Sequence, residues 1–289
     1  MATLRGYLGR HGPDIGLLTG KPGALELLPG PAAVNPNFLT LSNDGTVLYA
    51  AVRDDRGNEV GAWAVEDDWL RPLGAQPSGG EGLCHLTVDA SGTHVVSTHY
   101  GSGSVAVHPI AADGSLEERS DLVQHAGDGP HERQAGPHAH QVINDPTGEF
   151  LLVVDLGADT VFRYRLSAGR LQTIDAVGLP PGAGPRHLAL NPSGPFAYVA
   201  NELDSTVSVL DLEAFEIVST VRTVPEGLGG HDSQPSAVRV SADGRFCYVA
   251  NLDFRSGSCV EVRGRGQRGG KVKRSRRLSH QGMGVSRVG

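Results

Sequence analysis

Apolar and polar residues alternate over short runs along most of the chain, and turns of small residues join these runs. Segments such as "HLTVDASGTHVVSTH" and "HLALNPSGPFAYVAN" each contain two alternating runs around a turn with glycine. Alternation with a period of two predicts β-strands, and no segment has a convincing helical period. The 40 Gly and 18 Pro among 289 residues indicate many turns. The pattern therefore predicts an all-β chain of short strands.

The two-strand unit recurs five times with a glycine at the same place in its turn. These glycines are Gly45, Gly92, Gly148, Gly194 and Gly244, at intervals of 47, 56, 46 and 50 residues. The place suits a residue with positive φ. A third run follows, as in "DTVFRYRL" and "STVSVLDL", and a weaker fourth closes the unit, as in "EIVSTVRTV". Four short strands per repeat predict a β-propeller blade, whereas a β-sandwich fits five near-evenly spaced copies poorly.

In a propeller the innermost strand of each blade borders a central channel, so residues at its ends meet residues of other blades. Two positions vary while the strand framework repeats. Eight residues before the turn glycine stand Asn37, Cys84, His140, Arg186 and Ser236; eight residues after it stand Arg53, Tyr100, Leu156, Glu202 and Leu252. We therefore predict that His140, Arg186 and Glu202 converge on a shared pocket.

The segments "GPHAHQVINDPTGEFLLVVDLGADTVFRYRL", "AGPRHLALNPSGPFAYVANELDSTVSV" and "STHYGSGSVAVHPI" resemble the lactonase family of seven-bladed β-propellers. Enzymes of the 6-phosphogluconolactonase and carboxy-muconate lactonizing types belong to this family. The resemblance runs from Tyr7 to Asn251, and its P-H-A-H, P-R-H and N-E-L motifs are specific in combination. It implies a family fold of seven blades, of which this chain contains about five and a non-matching tail.

The resemblance also implies the site residues and the reaction. Arg186 and Glu202 match the family's Arg and Glu, and its His is His140 by repeat position or His138 in the same motif. A basic residue that the family takes from a later blade has no match here. The implied reaction is hydrolysis of an anionic sugar lactone, such as 6-phosphogluconolactone, in carbohydrate metabolism. We expect catalytic roles for Glu202, Arg186 and His140 and no cofactor; the expected substrate-binding residues are His138, His187, Asp155 and Asn201.

The chemistry gives each catalytic residue a role. Glu202 as carboxylate suits a general base, and the Arg186 guanidinium suits an oxyanion or an anionic group. His140 could orient the attacking water or protonate the leaving oxygen. The alternative is that Arg186 and Glu202 form an ion pair that only links strands. His138 and His140 could share a metal, because residues i and i+2 of a strand face one side, but no acidic ligand is near in sequence. We predict no metal.

Two other functions fit the same residues. One is cycloisomerisation of an unsaturated diacid in the same cationic pocket, and the other is a propeller platform or inactive fragment without catalysis. A direct assay of lactone opening separates hydrolysis from cycloisomerisation, since only hydrolysis consumes water. Propellers host many functions, so the fold alone does not decide between them.

Charge divides the chain into a predicted lactonase-like domain, residues 1–254, and a basic tail, residues 255–289. The tail holds ten of the 25 Lys and Arg but one of the 32 acidic residues, so it carries +9 and the preceding domain −16. An acidic domain argues against a nucleic-acid partner. We expect the tail to be disordered. Three explanations of the tail are open: a basic tail that binds nucleic acid, a disordered linker, or the product of a reading-frame shift. The abrupt loss of the strand pattern favours the frame shift. An incomplete propeller would leave open blade edges for self-association.

Cysteine content and hydropathy bear on location. The three cysteines, Cys84, Cys247 and Cys259, are an odd number without a C-x-x-C pair, which is typical of a reduced cytoplasm. No run reaches the roughly 18 apolar residues of a membrane span. The first residues lack the layout of a secretory signal. We therefore expect a cytoplasmic protein with no membrane partner.

Overall fold

The computed structural model describes residues 4–54, 57–67, 69–224 and 233–251, and the backbone of two further strands at 256–263 and 271–278. The chain forms 23 strands in six antiparallel sheets, within these described residues. One sheet has three strands and five have four. The prediction of a β-propeller built from four-stranded blades is confirmed. The single helical element among the described residues is a 3-10 turn at Glu132–Gln134.

The strands follow the chain order within each sheet. The N-terminal sheet contains β1 (Leu4–Leu8), β2 (Asp14–Lys21) and β3 (Ala24–Ala32). Blade 1 contains β4 (Phe38–Leu41), β5 (Val47–Asp54), β6 (Gly57–Val65) and β7 (Leu70–Pro77). Blade 2 contains β8 (Leu83–Val88), β9 (His94–His99), β10 (Ser104–Pro109) and β11 (Asp121–Gln124). Blade 3 contains β12 (Ala139–Asn144), β13 (Leu151–Asp155), β14 (Thr160–Ser167) and β15 (Arg170–Gly178).

Blades 4 and 5 repeat this layout. Blade 4 contains β16 (Pro185–Leu190), β17 (Phe196–Asn201), β18 (Thr206–Asp211) and β19 (Glu216–Arg222). Blade 5 contains β20 (Pro235–Val240), β21 (Phe246–Asn251), β22 (Ser256–Arg263) and β23 (Lys271–Leu278). The first strands of adjacent blades contact one another in series, β4 with β8, β8 with β12, β12 with β16 and β16 with β20. These first strands therefore line the propeller axis.

The core lies between sheets. Each of five apolar clusters joins two neighbouring sheets, as where Leu152 and Val154 of blade 3 pack on Leu188 and Val199 of blade 4. The second strand of a blade is covered on both faces, which explains why β13 reads "LLVVD" and is buried throughout. The outermost strand β15 is mostly exposed and mixes polar with apolar residues. Burial on both faces favours apolar and β-branched residues at every position of the second strand.

Four of the five turn glycines have the predicted positive φ: Gly45 at 75°, Gly92 at 75°, Gly148 at 74° and Gly244 at 69°. Gly194 is the exception, because it is not among the residues with positive φ. It is followed by Pro195, and its turn is the one with the sequence Pro-Ser-Gly-Pro. The repeat was therefore correctly predicted, and the conformation of Gly194 was not.

Blade 5 continues past the predicted domain boundary. The boundary at residue 254 falls between β21 and β22, and the backbone of β22 pairs with β21 on one side and with β23 on the other. The tail thus contributes two strands to a sheet, in contrast to the disorder predicted for it. The remaining tail residues, 264–270 and 279–289, lie outside the described residues. In the part of the chain that the structure describes, no helix is long and apolar enough to cross a membrane.

Candidate active site

The first strand of blades 2, 3 and 4 carries a β-bulge at the position eight residues before the turn glycine. In blade 2 the pairing passes from Leu83 to His85, and Cys84 is the extra residue. His140 in blade 3 and Arg186 in blade 4 are the extra residues at the same place. A bulged residue is released from the ladder and its side chain is turned out of the strand's regular alternation. The bulge explains why this position varies while the surrounding strand repeats.

Glu202 and Arg186 form the centre of the site, as the sequence predicted. Glu202 follows β17, and its carboxylate is almost enclosed, with 5% of the side chain exposed. Arg186 Nε lies 2.9 Å from Glu202 Oε2, and the Arg186 side chain is 22% exposed. Arg186 Nη1 also donates to the carbonyl oxygen of Ser236 in blade 5, at 3.3 Å. The ion pair thus lies where blades 4 and 5 meet the channel.

A second arginine, Arg133, binds the other oxygen of the same carboxylate. Its Nη1 donates to Glu202 Oε1 at 2.6 Å and its Nη2 donates to the Tyr100 hydroxyl at 2.9 Å. Arg133 belongs to the 3-10 turn between β11 and β12, which the buried Gln134 ties to blade 3 through the carbonyl of Leu156 at 2.8 Å. Arg133 was not among the site residues predicted from the sequence. The available signal was the longest repeat interval, 56 residues between Gly92 and Gly148, which contains this turn.

Three imidazoles, one buried and two half-buried, come from neighbouring blades and meet beside Arg186. The ring centroids of His140 and His187 are 5.1 Å apart, and those of His187 and His85 are 5.8 Å apart. Burial, then the charge of Arg186, lowers the pKa of His187 to about 3. Burial, followed by Arg186 and His187, lowers the pKa of His140 well below 6.5. The pKa of His85 is likewise well below 6.5, mainly because of burial. All three rings are therefore neutral at pH 7.

The neutral state restricts what these rings can do. Arg186 Nη1 lies 3.3 Å from His187 Nε2, and since a guanidinium only donates, that nitrogen accepts and the ring proton sits on Nδ1. The buried Nδ1 atoms of His85, His140 and His187 have no hydrogen-bond partner among the described residues. His140 can therefore orient a water through a neutral ring, but it is not a charged proton donor near pH 7. From the sequence, His85 was interpreted as a surface or packing residue and not as part of the site.

His138 is held by blade 2 and by the end of β13. Its Nδ1 donates to the carbonyl of Tyr100 at 2.6 Å, and its ring stacks on the Tyr100 ring with centroids 4.5 Å apart. Its backbone N–H donates to Asp155 at 2.7 Å. It precedes β12, and the bulge at His140 interrupts the alternation that would have put both rings on one side of a regular strand. Among the described residues, no group of three His, Cys, Asp or Glu is arranged to hold a metal ion.

Asp155 and Asn201 were predicted to bind substrate, but their side chains are completely buried and bound to protein atoms. Asp155 accepts from the backbone of Gly157 and Ala158, each at 3.0 Å, and from His125 Nδ1 at 2.7 Å. Asn201 Nδ2 donates to two hydroxyls of the following strand β18, those of Thr206 and Ser208. Both residues end the second strand of their blade and hold the turn that follows. Their predicted contact with substrate stays a prediction, and the geometry gives them a structural role.

Cys84 lies in β8, the first strand of blade 2, and it lacks the properties of a nucleophile. Its Sγ donates to the His140 carbonyl at 3.3 Å across the boundary between blades 2 and 3. Burial raises the pKa of the Cys84 thiol to about 11, although hydrogen bonds and nearby arginines act in the opposite direction. A thiol with that pKa is protonated at pH 7, and the thiolate is the reactive form.

The blades and these side chains define a β-propeller with a cationic, carboxylate-centred site beside its axis. A family model described as "Lactonase, 7-bladed beta-propeller" matches residues 15–273. The chain therefore belongs to this lactonase family and is a lactone hydrolase by class, which confirms the resemblance found in its sequence.

Proteins that are similar in sequence or in structure align with most of this chain. The chain is 35% identical over 254 residues to the 6-phosphogluconolactonase of Bacillus subtilis, an alignment that covers 86% of this chain and 72% of that protein. A crystal structure of a Lactobacillus plantarum protein superposes with a TM-score of 0.84 at 30% identity, covering 96% of this chain and 81% of the other. The periplasmic gluconolactonase of Pseudomonas aeruginosa superposes with a TM-score of 0.84 at 27% identity, covering 96% and 83%.

Proposed function

We propose that the chain hydrolyses a sugar lactone that carries an anionic group, such as 6-phosphogluconolactone, and that it does so without a metal ion. The observation that carries the proposal is the Glu202 carboxylate held between Arg186 and Arg133 beside the propeller axis. The named activities of the relatives from Bacillus subtilis and Pseudomonas aeruginosa support a sugar lactone as substrate.

The proposed reaction begins with the addition of a water oxygen to the lactone carbonyl carbon. Glu202 accepts the proton that this water loses, since a carboxylate has about four lone-pair sites and the two guanidiniums occupy only part of them. The carbonyl oxygen becomes an oxyanion. Arg186 stabilises it through Nη2, which contacts no acceptor among the described residues.

The intermediate then opens. The electron pair of the oxyanion re-forms the carbonyl, the bond between the carbonyl carbon and the ring oxygen breaks, and the ring oxygen receives the proton that Glu202 holds. The products are a hydroxyl and a carboxylic acid, which ionises at neutral pH. Water supplies all the atoms that are added, and no electrons are exchanged with another molecule. The neutral His140 ring serves to orient the water, and Arg186 takes the place of a metal ion in stabilising the oxyanion.

A pH-stat assay tests this proposal, because every turnover at neutral pH releases one proton. We expect the wild-type protein to open 6-phosphogluconolactone faster than buffer does, and EDTA to leave the rate unchanged. Arg186→Gln should lower kcat/KM by about 100-fold, as expected when a preorganised oxyanion donor is removed. Arg71→Gln is the matched control, since Arg71 pairs with Glu66 at an exposed site in blade 1, 2.7 Å apart. A wild-type rate equal to that of buffer would refute the proposal.

The cycloisomerase alternative makes a different prediction for the same sample. An unsaturated diacid would then be converted to its lactone while the sugar lactone stayed intact. A protein without either activity would point to a propeller platform.

Self-association through blade edges remains a separate proposal, since β1 hydrogen-bonds only with β2 among the described strands. Light scattering tests it, with a concentration-dependent dimer as the expected result and a monomer at all concentrations as the contrary one.

A further inference from the structure

The charges around Glu202 do not balance. Two guanidiniums, Arg133 and Arg186, contact one carboxylate, so the three side chains together carry one positive charge. The imidazoles of His140 and His187 beside them are neutral, because their pKa values lie far below 7. The carboxylate of Asp155 is committed to backbone amides and His125. The excess charge is therefore available to an anionic ligand.

The two arginines differ in how they are held. Arg186 is part of the β16 bulge, and it also contacts the Ser236 carbonyl and His187, both at 3.3 Å. Arg133 stands on a short turn outside the sheets, with 34% of its side chain exposed. Besides Glu202, the described contacts of its guanidinium are with Tyr100, whose ring centroid lies 6.0 Å from Arg133 Cζ. Arg133 is thus the exposed, outer partner of the carboxylate.

We propose that Arg133 is the specificity-determining residue of the site: it binds the anionic group of the substrate and in doing so releases Glu202 Oε1. This inference rests on the proposed lactone hydrolysis and adds a substrate-binding role that the motifs of the sequence do not assign. The guanidinium fork suits phosphate or carboxylate, and its Nε contacts no acceptor among the described residues. A neutral lactone offers no group to compete with Glu202 for Arg133. The Tyr100 hydroxyl keeps the guanidinium near the site while its partner changes.

When Arg133 exchanges Glu202 for the anionic group of the substrate, substrate recognition is linked to catalysis. With Arg133 bound to Glu202, one oxygen of the proposed base is covered by the shorter of its two ion pairs, 2.6 Å against 2.9 Å. When the anionic group of a substrate takes Arg133, that oxygen becomes available to a water. The proposal thus predicts that the anionic group increases turnover as well as affinity, since binding energy distant from the reacting bond is used at the reacting centre.

The test compares two lactones that differ only in the phosphate, 6-phosphogluconolactone and glucono-δ-lactone, on the wild type, Arg133→Gln, Arg133→Lys and the control Arg71→Gln. For Arg133→Gln we expect kcat/KM on the phosphorylated lactone to fall by about 10- to 100-fold, the size expected for a hydrogen bond to a charged group, with a change below about threefold on the neutral lactone. Arg133→Lys should retain part of the preference, because it keeps the charge and loses the fork. An equal loss on both lactones would overturn the inference.

A binding measurement separates failure of this inference from failure of the proposed function. Calorimetry with the reaction products, 6-phosphogluconate and gluconate, requires no turnover. We expect the wild type to prefer 6-phosphogluconate and Arg133→Gln to lose that preference. The wild type could open neither lactone and still prefer 6-phosphogluconate, with Arg133→Gln losing that preference. This result would support the anion-binding role of Arg133 and refute lactone hydrolysis. If the wild type opens lactones but Arg133→Gln binds 6-phosphogluconate as tightly as the wild type does, the result would support lactone hydrolysis and refute the anion-binding role of Arg133.

Discussion

Blades 3 and 4 have the same turn after their second strand but use its acidic residue differently. In blade 3 the strand ends with Asp155, whose carboxylate is buried and hydrogen-bonded to the turn that follows. In blade 4 the same position is Asn201, and the acid stands one residue later, at Glu202. Blade 3 has the buried Leu156 there.

The difference shows how a propeller can gain a site without changing its framework. A shift of one residue moves the carboxylate from the end of the strand, where Asp155 binds its own turn, to the first residue of the turn, where Glu202 meets the arginines. Asp155 is surrounded by donors of its own blade and by His125, which in turn contacts the Tyr164 hydroxyl at 2.9 Å. Glu202 instead meets two guanidiniums that come from different parts of the chain. The first arrangement stabilises the fold, and the second suits chemistry.

The largest expected effect separates activity from stability in blade 4. Glu202→Gln should lower kcat/KM for lactone opening by about 100-fold or more, the range for loss of a general base. The free energy of unfolding should fall by no more than about 1 kcal/mol, because the Gln amide oxygen still accepts from one arginine and water can solvate the other, partly exposed one. Kinetics and urea unfolding on one preparation measure both quantities. Full activity of Glu202→Gln would show that Glu202 forms only a structural ion pair.

The corresponding change in blade 3 should act on stability. Asp155→Asn removes a charge that accepts three backbone N–H groups and pairs with a buried imidazole. We expect the free energy of unfolding to fall by about 3 kcal/mol, since a buried carboxylate that accepts four hydrogen bonds is replaced by an amide whose NH2 group cannot accept. Tyr164→Phe, which removes the hydroxyl that contacts His125 and Thr173, should cost about 1 kcal/mol. Equal unfolding curves for the wild type and Asp155→Asn would contradict this part of the account.

The cationic surroundings of Glu202 predict a pH dependence of stability. Burial, together with nearby cationic side chains such as Arg186, lowers the pKa of His85, His140 and His187 in the folded protein, that of His187 to about 3. In the unfolded chain these rings take up protons below about pH 6.5. Stability is therefore complete above that pH and falls as the pH is lowered towards 4.

Asp204, in the turn of blade 4, acts in the opposite direction. Burial raises its pKa to about 6, so the folded protein keeps a proton that the unfolded chain loses above about pH 3.8. Its contribution is complete at low pH and disappears as the pH rises through 6. Three histidines outweigh one aspartate, and the free energy of unfolding should fall by about 2 kcal/mol or more between pH 7 and pH 5. His187→Gln should reduce this slope in denaturant titrations; an unchanged slope would show that the ring is protonated in the folded state.

The smallest effects concern the turn glycines of the same two blades. Gly148 has a φ of 74°, and a Cβ there would lie 2.8 Å from that of Ala90. Gly194 lacks a positive φ, and a Cβ would meet only the Phe196 ring at 3.7 Å. Gly148→Ala should lower the free energy of unfolding by about 1 kcal/mol or more, and Gly194→Ala should leave it unchanged or raise it by about 0.5 kcal/mol. Melting curves that rank the two variants in reverse would be contrary evidence.

The sequence predicted the parts of the molecule that repeat. The turn glycines defined the blades, and the position eight residues from each glycine located Arg186 and Glu202, whose ion pair the structure contains. The assignment of Asp155 and Asn201 to substrate binding stays a prediction, although both side chains are buried and hydrogen-bonded to protein atoms. Sequence variation alone does not separate a turn-holding residue from one that faces the channel.

The remaining features depend on geometry that a repeat does not contain. The bulges that turn His140 and Arg186 out of the ladder are not visible in the alternation of residues. Arg133 lies in the connection between β11 and β12, whose 3-10 turn has no counterpart among the described residues, so no register could predict its contact with Glu202. The clustering of His85 with His140 and His187 requires knowledge of which first strands are adjacent.

The most direct test of the account is the rate of lactone opening per folded molecule in Glu202→Gln and Asp155→Asn, measured side by side in the pH-stat at a temperature where both are mostly folded. The account predicts that Asp155→Asn, once corrected for its unfolded fraction, stays within about threefold of the wild type, while Glu202→Gln falls about 100-fold or more. Equal losses in the two variants would contradict the division between a structural carboxylate in blade 3 and a functional one in blade 4.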